Sequence, residues 1–241
     1  MTTKIFAHRG ASKVAPENTM AAFKLAYDMH AEGIETDVQL TKDNIPVLIH
    51  DENVRRTTNG TGFVQDYTLE ELKQLDAGSW FSEKYEGETI PTLDEFLTWI
   101  QDKPLRLNLE LKNNVIDYKD LEKIVYDRLV AFDLIPRTVI SSFSSESIKR
   151  FKEISSDLAT AWLTSNKIRF LIPFTKSLGA NRLHAKYTLL NKRLVKKCHQ
   201  NDLELAIYTV NRPNQMNRCF QLGCDTIFTD VPDIALLERN K

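Results

Sequence analysis

The segment Leu105-Arg106-Leu107-Asn108-Leu109-Glu110-Leu111-Lys112 carries the most regular pattern in this chain of 241 residues. Leucine alternates strictly with a polar residue, which is the period-two pattern of a β-strand with one apolar face. In a half-exposed sheet the polar face would meet water. The segments that follow alternate strand and helix, however, and such helices cover the outer face of a parallel sheet. The polar side chains of this strand are therefore predicted to point inward.

Eight predicted parallel strands account for most of the chain. They start at Lys4, Ile34, Leu105, Thr138, Ala159, Arg182, Leu205 and Thr226. Helices are predicted over 19–32, 118–131, 145–154, 191–201 and 213–222, with shorter ones opening at Thr68 and Thr92. Eight such strands are the number that a TIM (β/α)8 barrel requires. We predict one α/β domain of this type over residues 1–241, with a small insertion at about residues 52–90.

The first predicted helix has two possible N-caps and one predicted stop. Asn18 or Thr19 can cap it, because both residue types accept a hydrogen bond from the first-turn N–H groups. Gly33 is predicted to end it, since glycine adopts the left-handed backbone that closes many helices.

A ninth extended segment, Pro46 to His50, follows the second barrel strand at very short range. Only residues 42–44 separate the two, whereas a parallel connection needs a crossover of roughly a dozen residues or more. We therefore predict that this segment folds back antiparallel. The fold-back would bring His50 nearly opposite Thr36 and Asp37.

Two carboxylates, Glu35 and Asp37, share one face of the second strand because side chains two apart point the same way. Unpaired they would repel each other, so a cation between them is predicted; two solvated charges on an edge strand are the alternative. Other polar side chains fall at the same ends of the first strands or beside them: His8, Arg9, His50, Glu110 and Lys112. Barrel enzymes keep their chemistry at that end.

The residue types at this end suggest phosphate chemistry with a metal ion. Three carboxylates without a histidine pair at ligand spacing favour one oxygen-preferring divalent cation, Mg²⁺ or Ca²⁺, over zinc. Arg9 and Lys112 supply positive charge for a phosphate. His8 and His50 can then divide the proton transfers, one accepting a proton from an attacking hydroxyl and the other donating one to a leaving alkoxide.

Composition limits the partners and the compartment. With 32 basic and 33 acidic residues, the total charge favours neither nucleic acid nor an anionic membrane. The three cysteines are odd in number and lack zinc spacing, which predicts core packing in a reducing compartment. No apolar run reaches membrane-spanning length and no signal peptide is evident. We expect a cytoplasmic protein without stable membrane insertion.

Several short motifs follow one another along nearly the whole chain. They are His8-Arg9-Gly10, Pro16-Glu17-Asn18-Thr19, Glu35-Thr36-Asp37-Val38, Thr41-Lys42-Asp43, His50-Asp51, Ile90-Pro91-Thr92-Leu93, Glu110-Leu111-Lys112, Ser142-Phe143, Tyr208-Thr209-Val210-Asn211 and Thr229-Asp230-Val231-Pro232. In this order they resemble the glycerophosphodiester phosphodiesterase family. The resemblance implies a TIM barrel and metal-dependent hydrolysis of small glycerophosphodiesters to sn-glycerol 3-phosphate and an alcohol.

The resemblance also implies a role for each residue. His8 and His50 would be the acid and base, Glu35, Asp37 and Glu110 the metal ligands, and Arg9 and Lys112 the phosphate binders. The glycerol 2-hydroxyl would attack the phosphorus within the substrate and give a cyclic phosphate that water opens. Such an internal nucleophile explains why no protein nucleophile is needed. The resemblance does not indicate which histidine acts first, nor the oligomeric state.

One residue departs from the family pattern, and two other functions stay open. Tyr208 stands where the family usually has tryptophan; it and Phe143 are expected to line the substrate pocket, with simple barrel packing as the alternative. A related phosphodiesterase acting on lysophospholipids or sphingomyelin would need an apolar channel, for which Trp80-Phe81 and residues 170–174 are candidates. A non-catalytic phosphodiester-binding barrel would have little use for both histidines. His184, which ends a strand, is assigned no role.

Overall fold

Strands and helices alternate along the chain, which the computed structural model describes over residues 2–241. The strands are β1 Lys4–His8, β2 Gly33–Leu40, β3 Pro46–Leu48, β4 Arg106–Leu111, β5 Thr138–Ser142, β6 Ala159–Thr164, β7 Arg182–Lys186, β8 Glu204–Tyr208 and β9 Thr226–Thr229. The helices are α1 Met20–Asp28, α2 Leu69–Leu72, α3 Leu93–Ile100, α4 Leu121–Ala131, α5 Ser145–Ile154, α6 Leu171–Ser177, α7 Lys192–His199, α8 Pro213–Leu222 and α9 Pro232–Arg239.

Within residues 2–241, eight of these strands pair in parallel and close a barrel. β1 pairs with both β2 and β9, so the ring has no free edge. The leucines of β4 face outward, where Leu107 and Leu109 pack in one cluster with Leu97 of α3 and Val125 of α4. Asn108 and Glu110 on the same strand line a cavity inside the barrel. The predicted (β/α)8 barrel is confirmed, and so is the inward direction of these two polar side chains.

β3 is the arm that folds back on β2. It pairs antiparallel, with Val38 opposite Leu48 and Leu40 opposite Pro46, so the predicted fold-back is confirmed. The strand ends at Leu48, two residues earlier than predicted. Beyond that point the Ile49 N–H still donates to the Asp37 carbonyl at 3.1 Å. The Gln39 amide adds to this pairing by donating to the carbonyl oxygens of residues 49, 50 and 51 at 2.8–3.0 Å. His50 is thereby fixed beside β2.

The first helix differs from its predicted limits. Thr19 is the N-cap, since its hydroxyl accepts from the Ala22 N–H at 3.3 Å, whereas Asn18 turns toward Asp37. The prediction that Gly33 ends the helix is wrong, because α1 ends at Asp28 and Gly33 begins β2. Glycine is needed there for space: a Cβ would lie 2.6 Å from the Phe6 ring.

The segment between β3 and α3 is held by its own small apolar cluster. Val54, Val64 and Leu72 pack there against Val47 and Ile49 of the arm. The two shorter helices predicted to open at Thr68 and Thr92 are present, and each begins with a capping box. Helices α6 and α9 were not predicted. In the case of α6 the reason is its length, since seven residues around Pro173 offer little helical periodicity. No helix in the described part of the chain is both long and apolar enough to cross a membrane.

Candidate active site

Three carboxylates from two neighbouring strands meet inside the barrel. Glu35 and Asp37 come from β2 and Glu110 from β4, where Asp37 and Glu110 are register partners. One oxygen of each lies within 4.8 Å of the others, and all three residues are buried. Burial and the two neighbouring carboxylates raise the pKa of Glu35 well above its ordinary value. A positive charge between the three would reverse this effect.

Two cations stand against this cluster. The Arg9 Nε lies 3.2 Å from Asp37 Oδ2, and the Lys112 Nζ lies 2.8 Å from Glu110 Oε1 and 3.7 Å from Asp37 Oδ1. Burial opposes the charge of both cations, but the carboxylates outweigh it and raise both pKa values. Burial likewise opposes ionisation of Asp37, yet Arg9, His50 and Lys112 hold its pKa below the ordinary value. Asp37 is therefore compensated, whereas the nearby Arg9 does not offset the effect of burial and of the two other carboxylates on Glu35.

The donor set fits a hard divalent cation. Carboxylate oxygens are the ligands that Mg²⁺ and Ca²⁺ prefer. Asp37 Oδ1 is buried and has no hydrogen-bond partner among residues 2–241, so one acceptor of the cluster is available to a ligand. Asp37 Oδ2 is held by the Asn18 amide at 2.9 Å, which in turn accepts from Thr36. The carboxylates are thus oriented by their surroundings, as in metal sites generally.

A sharp turn after β1 brings Arg9 to the cluster. Arg9 and Gly10 both have left-handed backbone, with φ of 57° and 81°. Only glycine fits the second position, because a Cβ there would lie 2.6 Å from the Ala22 carbonyl carbon. The turn directs the Arg9 N–H to the backbone carbonyl of Glu35 at 2.9 Å and to its Oε2 at 3.0 Å.

Each of the two histidines forms a hydrogen bond with an aspartate through its Nδ1 atom. His8 Nδ1 lies 2.7 Å from Asp230 Oδ1, and His50 Nδ1 lies 2.5 Å from Asp51 Oδ1. Burial opposes ionisation of both aspartates, but Arg56 and His50 lower the pKa of Asp51 to about 2, and His8 lowers the pKa of Asp230. Since an ionised carboxylate only accepts, each histidine carries a proton on Nδ1. Nε2 of each ring is then left for proton transfer; that of His8 lies 4.0 Å from Glu35 Oε2.

A chain of ion pairs connects one histidine to Arg9. Arg56 donates to both oxygens of Asp51 at 2.6 and 3.1 Å and to both oxygens of Glu17 at 2.8 Å. Glu17 also accepts from Arg9 Nη1 at 2.8 Å. A continuous chain of contacts therefore runs from His50 through Asp51, Arg56 and Glu17 to Arg9. It joins a predicted proton carrier to a predicted phosphate binder, and Arg56 in its middle belongs to the segment after β3.

A cavity of about 190 Å³ lies within this cluster of charged groups. It is lined by His8, Arg9, Glu35, His50, Asn108, Glu110, Ser141, Phe143, Leu163, His184, Tyr208, Thr209 and Phe228. The rings of Phe143 and Tyr208 stand perpendicular, 6.1 Å apart. Burial, and to a smaller extent the positive charge of Arg182, lowers the pKa of His184 to about 3, so this histidine is neutral. A larger cleft of about 640 Å³ opens at the opposite end of the barrel beside Lys4 and His30, away from the carboxylates.

All nine residues predicted for the site come together at one end of the barrel. Seven of them line the cavity, while Asp37 and Lys112 contact the lining residues Arg9 and Glu110. Neither Trp80-Phe81 nor residues 170–174, the candidate walls of an apolar channel, are among the lining residues of this cavity in the described chain. The rings of Trp80 and Phe81 meet edge to face, and Phe174 packs on Trp162.

Four charged residues that contact the two histidines or Arg9, directly or through one another, were given no role by sequence reasoning. Asp51 adjoins His50, and Asp230 follows β9 at the end where strands present functional groups, so both had a positional signal. Glu17 lies in the first loop among other motif residues. Arg56 carried no signal from spacing, because it reaches Glu17 across 39 positions.

Comparison with known proteins gives a consistent result. Residues 8–234 match the model of the glycerophosphoryl diester phosphodiesterase family. The chain is 42% identical over 236 residues to a glycerophosphodiester phosphodiesterase of Caldanaerobacter subterraneus subsp. tengcongensis, covering 98% of this chain and 97% of that one. It is 40% identical over 242 residues to one of Bacillus altitudinis, with 99% of each chain covered. A phosphodiesterase of Oleispira antarctica, solved with the product sn-glycerol-3-phosphate, superposes with a TM-score of 0.92 at 31% identity, covering 100% of this chain and 98% of that one.

Proposed function

Because the chain belongs to the glycerophosphoryl diester phosphodiesterase family, we propose that its site hydrolyses glycerophosphodiesters to sn-glycerol 3-phosphate and an alcohol. One observation carries the proposal: the carboxylates Glu35, Asp37 and Glu110 border a small cavity that two carboxylate-oriented histidines also line. The volume of about 190 Å³ lies below the range of roughly 300–1,000 Å³ typical of drug-sized ligands, which suits a small diester.

The three carboxylates are proposed to hold one divalent cation, Mg²⁺ or Ca²⁺. When bound there, the ion would stabilise negative charge on the phosphate oxygens. Arg9 lines the cavity and is proposed to contact the phosphate, while Lys112 adds positive charge beside Glu110. Arg9 supplies a planar guanidinium whose fork matches phosphate oxygens, whereas Lys112 acts as a point charge.

His8 and His50 divide the proton transfers through Nε2. As the glycerol 2-oxygen forms its bond to phosphorus, one histidine accepts the hydroxyl proton. The other donates a proton to the alcohol oxygen as its bond to phosphorus breaks. In the second step water attacks the cyclic phosphate, the ring bond to the 2-oxygen breaks, and the histidines exchange roles. Asp51 and Asp230 keep Nδ1 protonated, so that Nε2 is the atom that changes protonation.

Phe143 and Tyr208 are proposed to form the apolar wall of the substrate pocket. The Tyr208 hydroxyl is buried without a hydrogen-bond partner in residues 2–241. Burial, and to a smaller extent the negative charge of Glu110, raises its pKa. It therefore stays protonated as a donor for a substrate oxygen. A tryptophan at this position would present a donor at a different place, so the alcohol preference is expected to depend on Tyr208.

Several further statements are part of the proposal. Residues 1–241 would act as a single barrel domain on a soluble small-molecule substrate. A cytoplasmic location is supported by three cysteines that are all free and buried. The products would link the enzyme to glycerol and lipid metabolism.

Product release tests the proposal directly. Purified protein with Mg²⁺ or Ca²⁺ should release glycerol 3-phosphate from glycerophosphocholine or glycerophosphoethanolamine. No release from any glycerophosphodiester with either ion would refute the main function and leave the non-catalytic binder. Release of choline from lysophosphatidylcholine, without turnover of glycerophosphocholine, would support the lysophospholipid alternative instead.

Alanine variants test the two histidines. His8→Ala and His50→Ala should each lower kcat by about 10²-fold or more, the size of a lost general acid or base. His199→Ala is the matched control, since His199 is an exposed residue of α7 that pairs with Asp225. Wild-type turnover in either site variant would remove that histidine from the mechanism.

A further inference from the structure

One stretch of the chain has an extreme charge imbalance that the near-neutral total conceals. Residues 158–201 contain nine lysines and arginines and neither aspartate nor glutamate. The whole chain has almost equal numbers of both signs. A segment with charges of a single sign creates a strong positive electrostatic potential over the part of the surface where those charges lie.

The cations of this stretch are directed to solvent. Arg182 is the exception, because it is half-buried and pairs with Glu204 at 2.6 Å. The other eight are exposed and form no ion pair with a carboxylate among residues 2–241: Lys167, Arg169, Lys176, Lys186, Lys192, Arg193, Lys196 and Lys197. Elsewhere in the structure surface cations commonly pair, as Lys123 does with Asp127 and Lys149 with Glu146. The positive charge of this stretch is therefore uncompensated.

Apolar side chains are exposed among these cations. Ile168 is 42% exposed, Phe170 68% and Phe174 38%. Next to them, residues 168–173 and α7 line an open groove of about 640 Å³ whose lining includes Arg169, Arg193 and Lys197. We call residues 165–176 together with α7 the basic apolar face.

Phe170 is unfavourable where it stands, for two reasons. Its backbone is left-handed, with φ of 65°, which is an outlier for a bulky residue. Its ring is exposed to water, 5.0 Å from the Arg169 guanidinium carbon. Both features oppose folding. The Arg169 contact offsets only part of the second cost, since Phe170 stays 68% exposed. An arrangement of this kind points to a contact outside the chain.

We propose that the basic apolar face docks on an anionic phospholipid surface. Exposed aromatic and aliphatic side chains flanked by lysine and arginine are the combination that binds the interface of such a membrane. Cations alone would suit any polyanion, nucleic acid included; Ile168 and Phe170 favour a partner with an apolar layer beneath its charges. This contact is peripheral and differs from insertion of a spanning helix.

Part of the basic apolar face lies at the same end of the barrel as the candidate active site. Residues 165–170 follow β6, and the parallel strands place the end of β6 at the same end of the barrel as His8. Docking through this loop would therefore hold the catalytic end of the barrel close to the lipid surface. The proposal stands on charge and exposure and does not require the proposed hydrolytic activity.

Vesicle co-sedimentation of the full chain tests the docking. We expect binding to vesicles of phosphatidylcholine with about one third phosphatidylglycerol, little binding to phosphatidylcholine alone, and weaker binding as salt rises from about 0.05 to 0.5 M. Equal sedimentation with both vesicle types would overturn the proposal. So would binding to a single-stranded RNA without binding to the anionic vesicles.

Two variants separate the charged and apolar contributions. Arg193→Glu/Lys197→Glu should weaken vesicle binding by at least about tenfold, since each cation near an anionic surface contributes substantially. Lys24→Glu/Lys119→Glu is the matched control: both lysines are exposed and lie outside the face, and the net charge changes equally. An equal loss in the control would show a general charge effect and overturn the proposal.

Phe170→Asn tests the apolar contact without harming the fold. Asparagine tolerates the left-handed backbone and is a favoured N-cap residue, so the thermal midpoint should stay equal or rise. Vesicle binding should nevertheless fall several-fold. Unchanged binding would refute the apolar contact. Turnover of soluble glycerophosphocholine should stay within about twofold in all variants, so this proposal and the proposed function can fail separately.

Discussion

Asp230→Asn tests whether His8 is set for proton transfer by a carboxylate. Asp230 accepts from two sides: Oδ1 lies 2.7 Å from His8 Nδ1, and Oδ2 lies 2.5 Å from the Asn211 amide nitrogen. The substitution keeps the shape of the side chain. It replaces one acceptor oxygen by an amide NH₂ that can only donate.

The surroundings of Asn211 decide which way the new amide points. The Asn211 Oδ1 already accepts from the Asp230 backbone N–H at 2.9 Å and from the Thr229 hydroxyl at 3.2 Å, so its NH₂ must face position 230. The new asparagine must accept there with its oxygen and present its NH₂ to His8. His8 Nδ1 would then have to accept, and the proton would move to Nε2. The atom needed as a proton acceptor would be blocked.

This change should affect turnover far more than substrate binding. Losing a positioned general acid or base costs about 10²–10⁴-fold, which corresponds to about 2.7–5.4 kcal/mol of transition-state free energy. We expect a fall of that size in kcat for glycerophosphocholine, measured by coupled detection of glycerol 3-phosphate. KM should stay within a few-fold, because Asp230 does not line the cavity.

Two comparisons make the result decisive. Asp233→Asn, at an exposed carboxylate at the start of α9, should leave kcat unchanged. The double variant His8→Ala/Asp230→Asn should be no slower than His8→Ala, since residues that act as a unit are not additive. A folded Asp230→Asn enzyme with near wild-type kcat, or a double variant slowed by the full product of both effects, would refute this role.

Three further predictions concern the other charges of the site. Glu35→Gln removes a buried carboxylate that Arg9 compensates only in part, so the metal-free protein should melt at a higher temperature in EDTA, while metal affinity falls about tenfold or more. A lower melting temperature in EDTA would contradict this. The lowered pKa of Asp51, about 2 against the ordinary 3.8, contributes stability above pH 3.8 that is lost as the pH falls toward 2; the difference in urea midpoint between wild type and Asp51→Asn should shrink over that window. Arg56→Lys keeps the charge but cannot donate to Glu17 and Asp51 in the same geometry, so kcat should fall about tenfold with little change in melting temperature, and unchanged kcat would exclude a positioning role.

The barrel could be predicted because its signals are local. The strict alternation over residues 105–112 is readable without knowledge of any partner, and the strand–helix sequel settles which face is inside. The return of Pro46–Leu48 followed from loop length alone. Errors arose where local signals compete: Gly33 follows a helix and so resembles a helix stop, but the Phe6 ring, 27 positions earlier, is what requires glycine there.

The carboxylate cluster could also be predicted, since parallel strands share one end. Glu35, Asp37 and Glu110 come from strands that are neighbours in the barrel. Glu35 is the register partner of His8, which ends β1, and Asp37 is the register partner of Glu110, which stands near the end of β4. Their meeting follows from topology once eight strands are assigned. The pocket walls were harder to predict, because Phe143 and Tyr208 are far apart in the sequence and the side chain of either could have packed on the outside of the barrel.

The partners of the histidines depend on contacts that no local pattern encodes. Asp230 meets His8 across 222 positions, and only closure of the ring between β1 and β9 brings them together. Arg56 meets Glu17 because the segment after β3 returns to the first loop, which strand counting does not describe. The positions of the proposed metal ligands and proton carriers are thus set by strand order, whereas those of the groups that orient them are set by closure of the barrel and by its loops. Substitutions at Asp230 and Arg56 therefore test the three-dimensional structure, and those at His8 and Glu35 test the family resemblance.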